Sequence, residues 1–362
     1  MTHHPIDELM QNGLREHVFP GAVLLVGCGE DTLFFEAYGQ ANRFNAQAMT
    51  RQTVFDLASL TKPLATTLAV ARLVDTRQID LDRPVATGLP GLAKTDKAGI
   101  TPRQLLCHRS GLPAHRLFYM TLKSLPLTLR KQTVLDLLLA VPLASPPGQV
   151  TLYSDLGFML LCRLVERVAG TSLDRFLADQ VYDSMGIGDL FFVDLHSERR
   201  SKHCFAATEL CPLRGRLLIG EVHDDNAWYA GGVEGHAGLF GTAEAVFRLL
   251  RHLVKAQRNP SAAALFSPSI VDEMLYGNPG HHFSLGFDRP AAENSSAGRY
   301  FSTQTVGHLG FTGVSFWMDL KTDMTVILLT NRVHPFRWAN RLVDFRPRIH
   351  DRIMEHFGIH RD

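Results

Sequence analysis

Apolar and polar positions along the chain switch between two periods, and each switch marks an element. Ile6, Leu9, Met10 and Leu14 recur at helical spacing over residues 6–16. Residues 22–40, AVLLVGCGEDTLFFEAYGQ, hold two strand-like runs around a Gly-Glu-Asp turn, the pattern of a hairpin. From Ser59 to about Arg77 the helical period returns, with Leu64, Leu68, Ala71 and Val74 on one face. Residues 80–150 alternate short helical patterns with loops bearing Pro and Gly. A second helix is expected after Ser154, carrying Leu156, Leu160, Leu161, Leu164, Val165 and Val168 and closed by Gly170. Residues 196–227 are irregular and polar, and Ala243 to Ala256 is helical again. Strand-like runs follow at 283–288, 305–309, 313–319 and 324–330, with a terminal helix from about Ala339 to Phe357.

Strands thus gather at both ends of the chain and helices in the middle. That layout predicts an α/β (α+β) fold in which both termini build one sheet and a helical region is inserted between them. The expected division is a sheet domain from residues 1–78 and 228–362 and an all-helical insertion from 79–227, with the site at their interface. A length of 362 residues suits one large or two interlocked domains.

Composition then excludes several classes. Hydrophobic residues are 45% and charged residues 20%, a globular balance. A net charge of +1, from 37 basic and 36 acidic residues, argues against a nucleic-acid partner. The longest apolar stretches are strand-sized, so no membrane span is expected. Met1 to Met10 contains His3, His4, Asp7 and Glu8 and lacks the cationic start and apolar core of an export signal, which points to the cytoplasm. Cysteines at 28, 107, 162, 204 and 211 are odd in number and form no CxxC pair, reading as reduced thiols. Only eight of the basic residues are Lys, so each lysine is informative.

The lysine that matters most lies in Phe55-Asp56-Leu57-Ala58-Ser59-Leu60-Thr61-Lys62. Ser59 and Lys62, three apart at a helix start, share a face. A serine hydroxyl becomes a useful nucleophile when a neighbour takes its proton, and a lysine can do so. Free backbone N–H groups at the helix start can hold a developing oxyanion. Such spacing alone also fits an ordinary surface helix. About ninety residues on, Tyr153-Ser154-Asp155 precedes the second helix, where a tyrosine could relay a proton or simply be a satisfied core residue. Gly307-His308-Leu309-Gly310-Phe311-Thr312-Gly313 precedes a strand, with glycines that would let substrate approach closely or form a bulge.

In this order the three stretches resemble the serine β-lactamase and penicillin-binding-protein superfamily, and most of all its class C β-lactamase and D,D-peptidase branch. The stretch Leu105-Leu106-Cys107-His108-Arg109-Ser110-Gly111-Leu112-Pro113 and the Gly-rich Gly231 to Ala243 agree, and the likeness covers roughly residues 15–335. It implies a β-lactamase-like fold, an antiparallel sheet flanked by helices. It also implies Ser59 as the acylated nucleophile, Lys62 and Tyr153 sharing acid/base work, and an oxyanion hole from the N–H groups of Ser59 and Phe311. Reaction through an acyl-enzyme without metal or other cofactor follows from the same likeness.

Two positions depart from the pattern. Asp155 stands where many relatives have asparagine; it cannot donate an amide hydrogen bond, and its charge would keep Lys62 protonated unless it is compensated or points away. His308 stands where many carry lysine, so only a partial charge near neutrality would meet a substrate carboxylate next to Gly310. Glu221-Val222-His223-Asp224-Asp225-Asn226-Ala227, followed by Gly231-Gly232-Val233-Glu234-Gly235-His236-Ala237-Gly238-Leu239-Phe240, looks like a subgroup that includes cell-wall recycling amidases. His223, Asp224, Asn226 and His236 could read a sugar or peptide, or could pin a loop. His196, His203, His223, Asp224 and His236 are metal-ligand types without metal-site spacing, and His281-His282 reads as solvated.

The expected function is therefore a serine hydrolase on an amide or ester bond of a small molecule (muropeptide, peptide or ester). The leading form is a cytosolic amidase of muropeptide recycling, followed by a carboxylesterase and then a D,D-carboxypeptidase or β-lactamase. A ligand-binding relative without turnover is the alternative of another class.

Overall fold

The computed structural model describes residues 5–196, 205–258, 265–277, 283–338 and 340–359. Its main sheet has six antiparallel strands in the order Gln47–Ala48, Asp31–Asn42, Gly21–Cys28, Met324–Thr330, Val314–Asp319, Thr305–Gly310. The two chain ends meet in its centre, where Ala22 opposes Thr330 and Cys28 opposes Met324. Alternation sorts these strands between two layers: Val23, Leu25, Ile327 and Leu329 face one core and Ala22, Leu24, Val26, Val326 and Leu328 the other. Both faces are covered, which is why the central strands read as unbroken apolar runs. Helices Pro5–Arg15 and Leu342–His356 pack together beside one face, and helix Ala243–Arg258 lies against Gly21–Cys28 and Met324–Thr330 on the other.

The expected helices after Ser59 and Ser154 form, with local refinements. Residues Ala58–Leu60 make a 3₁₀ turn, Lys62–Thr66 a wider π-type turn containing Pro63, and Thr67–Asp75 a regular helix. Helix Asp155–Ala169 starts on Ser154, whose Oγ accepts from Gly157 N–H at 3.3 Å, and ends on Gly170 at φ 69°. The middle of the chain is not helical throughout. Leu190–Phe192 pairs with Leu239–Gly241, which also pairs with Phe55–Asp56, and Leu210–Cys211 pairs with Arg216–Leu217. The Leu-Phe-Phe run supplies aromatic residues that suit a half-buried strand. The run 283–288 is also reduced, to single bridges between Phe283 and Asp288 and between Asp288 and Gly307. Gly286 at φ 73° bends it away from the sheet. Residues His203, Cys204, His281, His282 and Ala339 lie outside the described residues.

Candidate active site

Contacts from several elements press the Ser59 turn into place. Ala58 adopts φ 46°, the left-handed region that a residue with a Cβ seldom occupies, so the turn is held from outside. Asp56, buried, accepts from Ala58 N–H at 2.8 Å and from His223 N–H at 2.6 Å. Thr61 Oγ1 donates to Ala58 O at 2.6 Å and accepts from Leu239 N–H at 3.0 Å. Thr312 Oγ1 donates to Asp56 O at 2.8 Å, tying in the end of the Thr305–Gly310 strand. Gly310 is where that strand crosses the turn: a Cβ there would stand 2.9 Å from Leu57 O and 3.3 Å from the Ala58 Cβ. The glycine thus permits a close approach within the protein itself.

On this base the sequence-predicted residues converge. Lys62 Nζ lies 3.1 Å from Ser59 Oγ, 3.1 Å from His236 O and 2.8 Å from Asp155 Oδ1. The Tyr153 ring centroid is 4.8 Å from Lys62 Nζ, and Lys62 and Ser59 both act to lower the proton affinity of its hydroxyl. Burial alone would push Lys62 down, but Asp155 and Tyr153 outweigh it and raise the ammonium above its ordinary range. Burial likewise favours neutral Asp155, yet Lys62 and His115 hold its carboxyl below the usual range. Asp155 therefore points into the site and is compensated there: Oδ1 by Lys62, Oδ2 by His115 Nδ1 at 3.4 Å. Burial raises the Tyr153 hydroxyl despite the opposing Lys62 charge.

His308 behaves differently. Its ring is buried, and its Nδ1–H donates to Leu309 O at 2.8 Å. Burial, reinforced by the Lys62 charge, drives it down to about 3. The partial charge expected at this position is corrected to none: dehydration beside a cation leaves a neutral imidazole. Its Nε2 has no partner among the described residues.

A cavity of about 460 Å³ opens over Ser59, walled by Tyr153, Asp155, Asp224, His236 and Phe311 among others. His236 Nε2 meets Asp224 Oδ1 at 2.9 Å. Against the cost of burial, Asp224 lifts His236 above its usual value, and His236 holds Asp224 at about 2. His223 meets Glu209 Oε2 at 3.1 Å, and its ring lies 5.5 Å from that of Phe311. Phe311 is half exposed, with the Arg332 and Arg337 guanidinium groups 5.0 and 5.8 Å from its ring centre. His196, by contrast, does not join the cavity wall. No group of three or more metal-ligating side chains occurs among the described residues.

Several participants were not singled out in the sequence. His108 sits at φ 56°, accepts from Ser154 N–H on Nδ1 at 3.0 Å and packs against the Tyr153 ring at 4.5 Å with the planes tilted by 34°, so it buttresses that tyrosine. His115 follows the Ser110-Gly111-Leu112-Pro113 stretch, a signal that could have been followed two residues further. Glu209 and Arg337, joined by paired hydrogen bonds including one of 2.7 Å, are 128 residues apart and carry no local signature.

A turn bearing Ser59, with a lysine and a tyrosine beside it, on an antiparallel sheet flanked by helices is the arrangement of a serine hydrolase of the β-lactamase type. The chain belongs to the beta-lactamase family, whose model matches residues 6–344. It is 31% identical to the N-acetylmuramyl-L-alanine amidase of Bacillus subtilis (strain 168), over 91% of this chain and 80% of the relative. It is 28% identical to a putative D-alanyl-D-alanine carboxypeptidase of Escherichia coli (strain K12), over 87% and 79%. Among solved structures, EstCE1, a hydrolase with promiscuous acyltransferase activity, shares the fold at TM-score 0.74 and 22% identity, over 96% of this chain and 97% of that one. The octameric penicillin-binding protein homologue from Pyrococcus abyssi shares it at TM-score 0.75 and 18% identity, over 99% and 78%. No described helix is long and apolar enough to cross a membrane.

Proposed function

We propose that the protein hydrolyses the amide joining the N-acetylmuramic acid lactyl group to L-alanine in wall fragments, through an acyl-enzyme on Ser59. Ser59 Oγ attacks the carbonyl carbon and forms an ester while the C–N bond breaks. Once Lys62 has given up its proton to solvent, its amine, 3.1 Å from Ser59 Oγ, takes the hydroxyl proton, and Lys62 with Tyr153 beside it delivers that proton to the departing amine. The N–H groups of Ser59 and Phe311 hold the oxyanion, and water then releases the acid. The two-part division at residues 78/79 and 227/228 puts this chemistry at a domain boundary.

The observation that carries the substrate choice is the charge of the cavity. His308 is neutral where a substrate carboxylate would need a cation, and the wall holds Asp155, Asp224 and Asp225. Its guanidinium, Arg337, is already bonded to Glu209. Such a wall suits hydroxyl and acetamido groups of a sugar better than the carboxylate of a β-lactam or D-Ala-D-Ala peptide. The amidase relative supports the same direction. The second reading is a carboxylesterase, which also needs no carboxylate anchor. Free Cys28, Cys107, Cys162 and Cys211 support a reducing, cytoplasmic setting.

The test offers MurNAc-L-Ala-D-Glu, a D-Ala-D-Ala peptide and p-nitrophenyl acetate to the protein and to Ser59→Ala. Release of L-Ala-D-Glu, lost in the variant, is expected. Ester turnover with an untouched muropeptide would transfer the assignment to the esterase. Absence of turnover and of any mass adduct with a fluorescent penicillin would remove the enzymatic reading.

A further inference from the structure

Among the described residues four arginines are buried as whole residues, and they fall into two pairs. Arg163 is matched by Glu166 at 2.9 Å and Glu234 at 2.6 Å, and Arg251 by Asp323 at 2.8 Å. Arg332 and Arg346, 8% and 7% exposed, meet no carboxylate among the described residues. The Arg332 head donates only to carbonyls, Phe311 O and Arg337 O. Arg346 makes no hydrogen bond or ion pair there, and its Nε is buried without an acceptor. Burial lowers both guanidinium groups, Arg346 to about 10, and Arg332 adds its repulsion. Two dehydrated cations side by side cost free energy unless an anion joins them.

A place for that anion exists. A cavity of about 340 Å³ is lined by Arg332, Arg43, His17 and His334, with Phe19 and Phe336 among its apolar walls and no acidic residue. Arg43 is exposed and its side chain has no carboxylate partner among the described residues. His334 contributes no positive charge: Nδ1 bonds Thr208 O at 2.9 Å, and Nε2 accepts from Arg43 N–H at 3.0 Å. Arg346 does not line the cavity but interacts electrostatically with Arg332, which does. We propose that this cavity binds a small oxyanion, a phosphate or carboxylate group, gripped by Arg332 and Arg43 with the Arg346 charge behind them. It is separate from the Ser59 cavity, with Phe311 and Arg332 between the two, and it does not depend on which bond Ser59 cleaves.

Inorganic phosphate is the probe, with citrate as the carboxylate arm and sodium chloride at matched ionic strength as the control. Calorimetry and thermal melting are followed on the full chain. Phosphate or citrate should bind at one site and raise Tm saturably, by about 3 °C or more at a hundred times Kd. The stronger of the two identifies the ligand chemistry. Arg43→Gln, on the surface and remote from Ser59, should weaken binding about tenfold with an unchanged Tm in chloride. Arg346→Met should melt no lower than the parent without oxyanion and gain less from it. Equal shifts from chloride, or binding that ignores both substitutions, would overturn the site.

Discussion

The two walls that flank Ser59 are equally dry and carry opposite charge states. On one, Lys62 is fully buried and remains an ammonium, because Asp155 and Tyr153 supply partners that outweigh dehydration. On the other, the His308 strand offers its ring only a carbonyl, and dehydration removes the proton. Burial therefore does not by itself decide ionisation; the partner within hydrogen-bond reach does. The same rule separates Arg163 with its glutamates from Arg346 with none. At Ser59, it places one positive charge beneath the hydroxyl and leaves the His308 wall neutral.

Breaking the charged wall should have the largest effect. Asp155→Asn removes the strongest influence raising Lys62, so the ascending limb of kcat/KM against pH should move down by about 1 to 3 pH units. At neutral pH the variant should also lose of order 3 kcal/mol of stability, since a buried ammonium is left short of its counter-charge. A limb that stays in place, with esters as substrate, would mean that Asp155 does not govern the Lys62 proton.

Charging the neutral wall is the converse experiment. His308→Lys puts a second ammonium into the region that already depresses the imidazole, at an expected cost of about 1 to 3 kcal/mol. It also restores a cation for a substrate carboxylate. Acylation by a penicillin should rise about tenfold while p-nitrophenyl acetate turnover stays within a factor of a few. Equal rises for both substrates would show that the position does not select for carboxylates.

These experiments probe what was and was not legible in the chain. The Ser59–Lys62 spacing, Tyr153 before its helix and the strand after Gly307 could be read because each depends on neighbours within a few residues. The two central strands of the sheet could be read because their apolar runs are long. What the sequence concealed is set by contacts across the fold. His308 is neutral through burial and through Lys62, 246 positions away. Gly310 lets its strand pass close to Leu57, and Glu209 finds Arg337 across 128 residues. The direction of Asp155 was open for the same reason: its partners, Lys62 and His115, come from other elements. The run 283–288 had strand character, but Gly286 bends it out, a consequence of backbone conformation that alternation does not encode.

A smaller effect discriminates between the two walls by pH alone. Asp224→Asn uncouples His236, whose proton is held above the usual histidine range against the cost of burial. In the parent, this raised value contributes stability that is complete below the unfolded histidine pKa of about 6.5 and fades as pH rises through the folded value. Asp224, held at about 2, contributes above the unfolded carboxylate pKa, and that part fades as pH falls towards 2. The parent should therefore exceed Asp224→Asn most between about pH 4 and 6.5 and converge with it on either side. The asparagine oxygen can still accept from Ala227 N–H, 2.8 Å in the parent, so the helix cap survives the substitution and the difference reports the charge pair. Chemical denaturation from pH 3 to 9 checks this: a stability difference with no maximum in that window would mean that the charge of the pair does not shape the cavity.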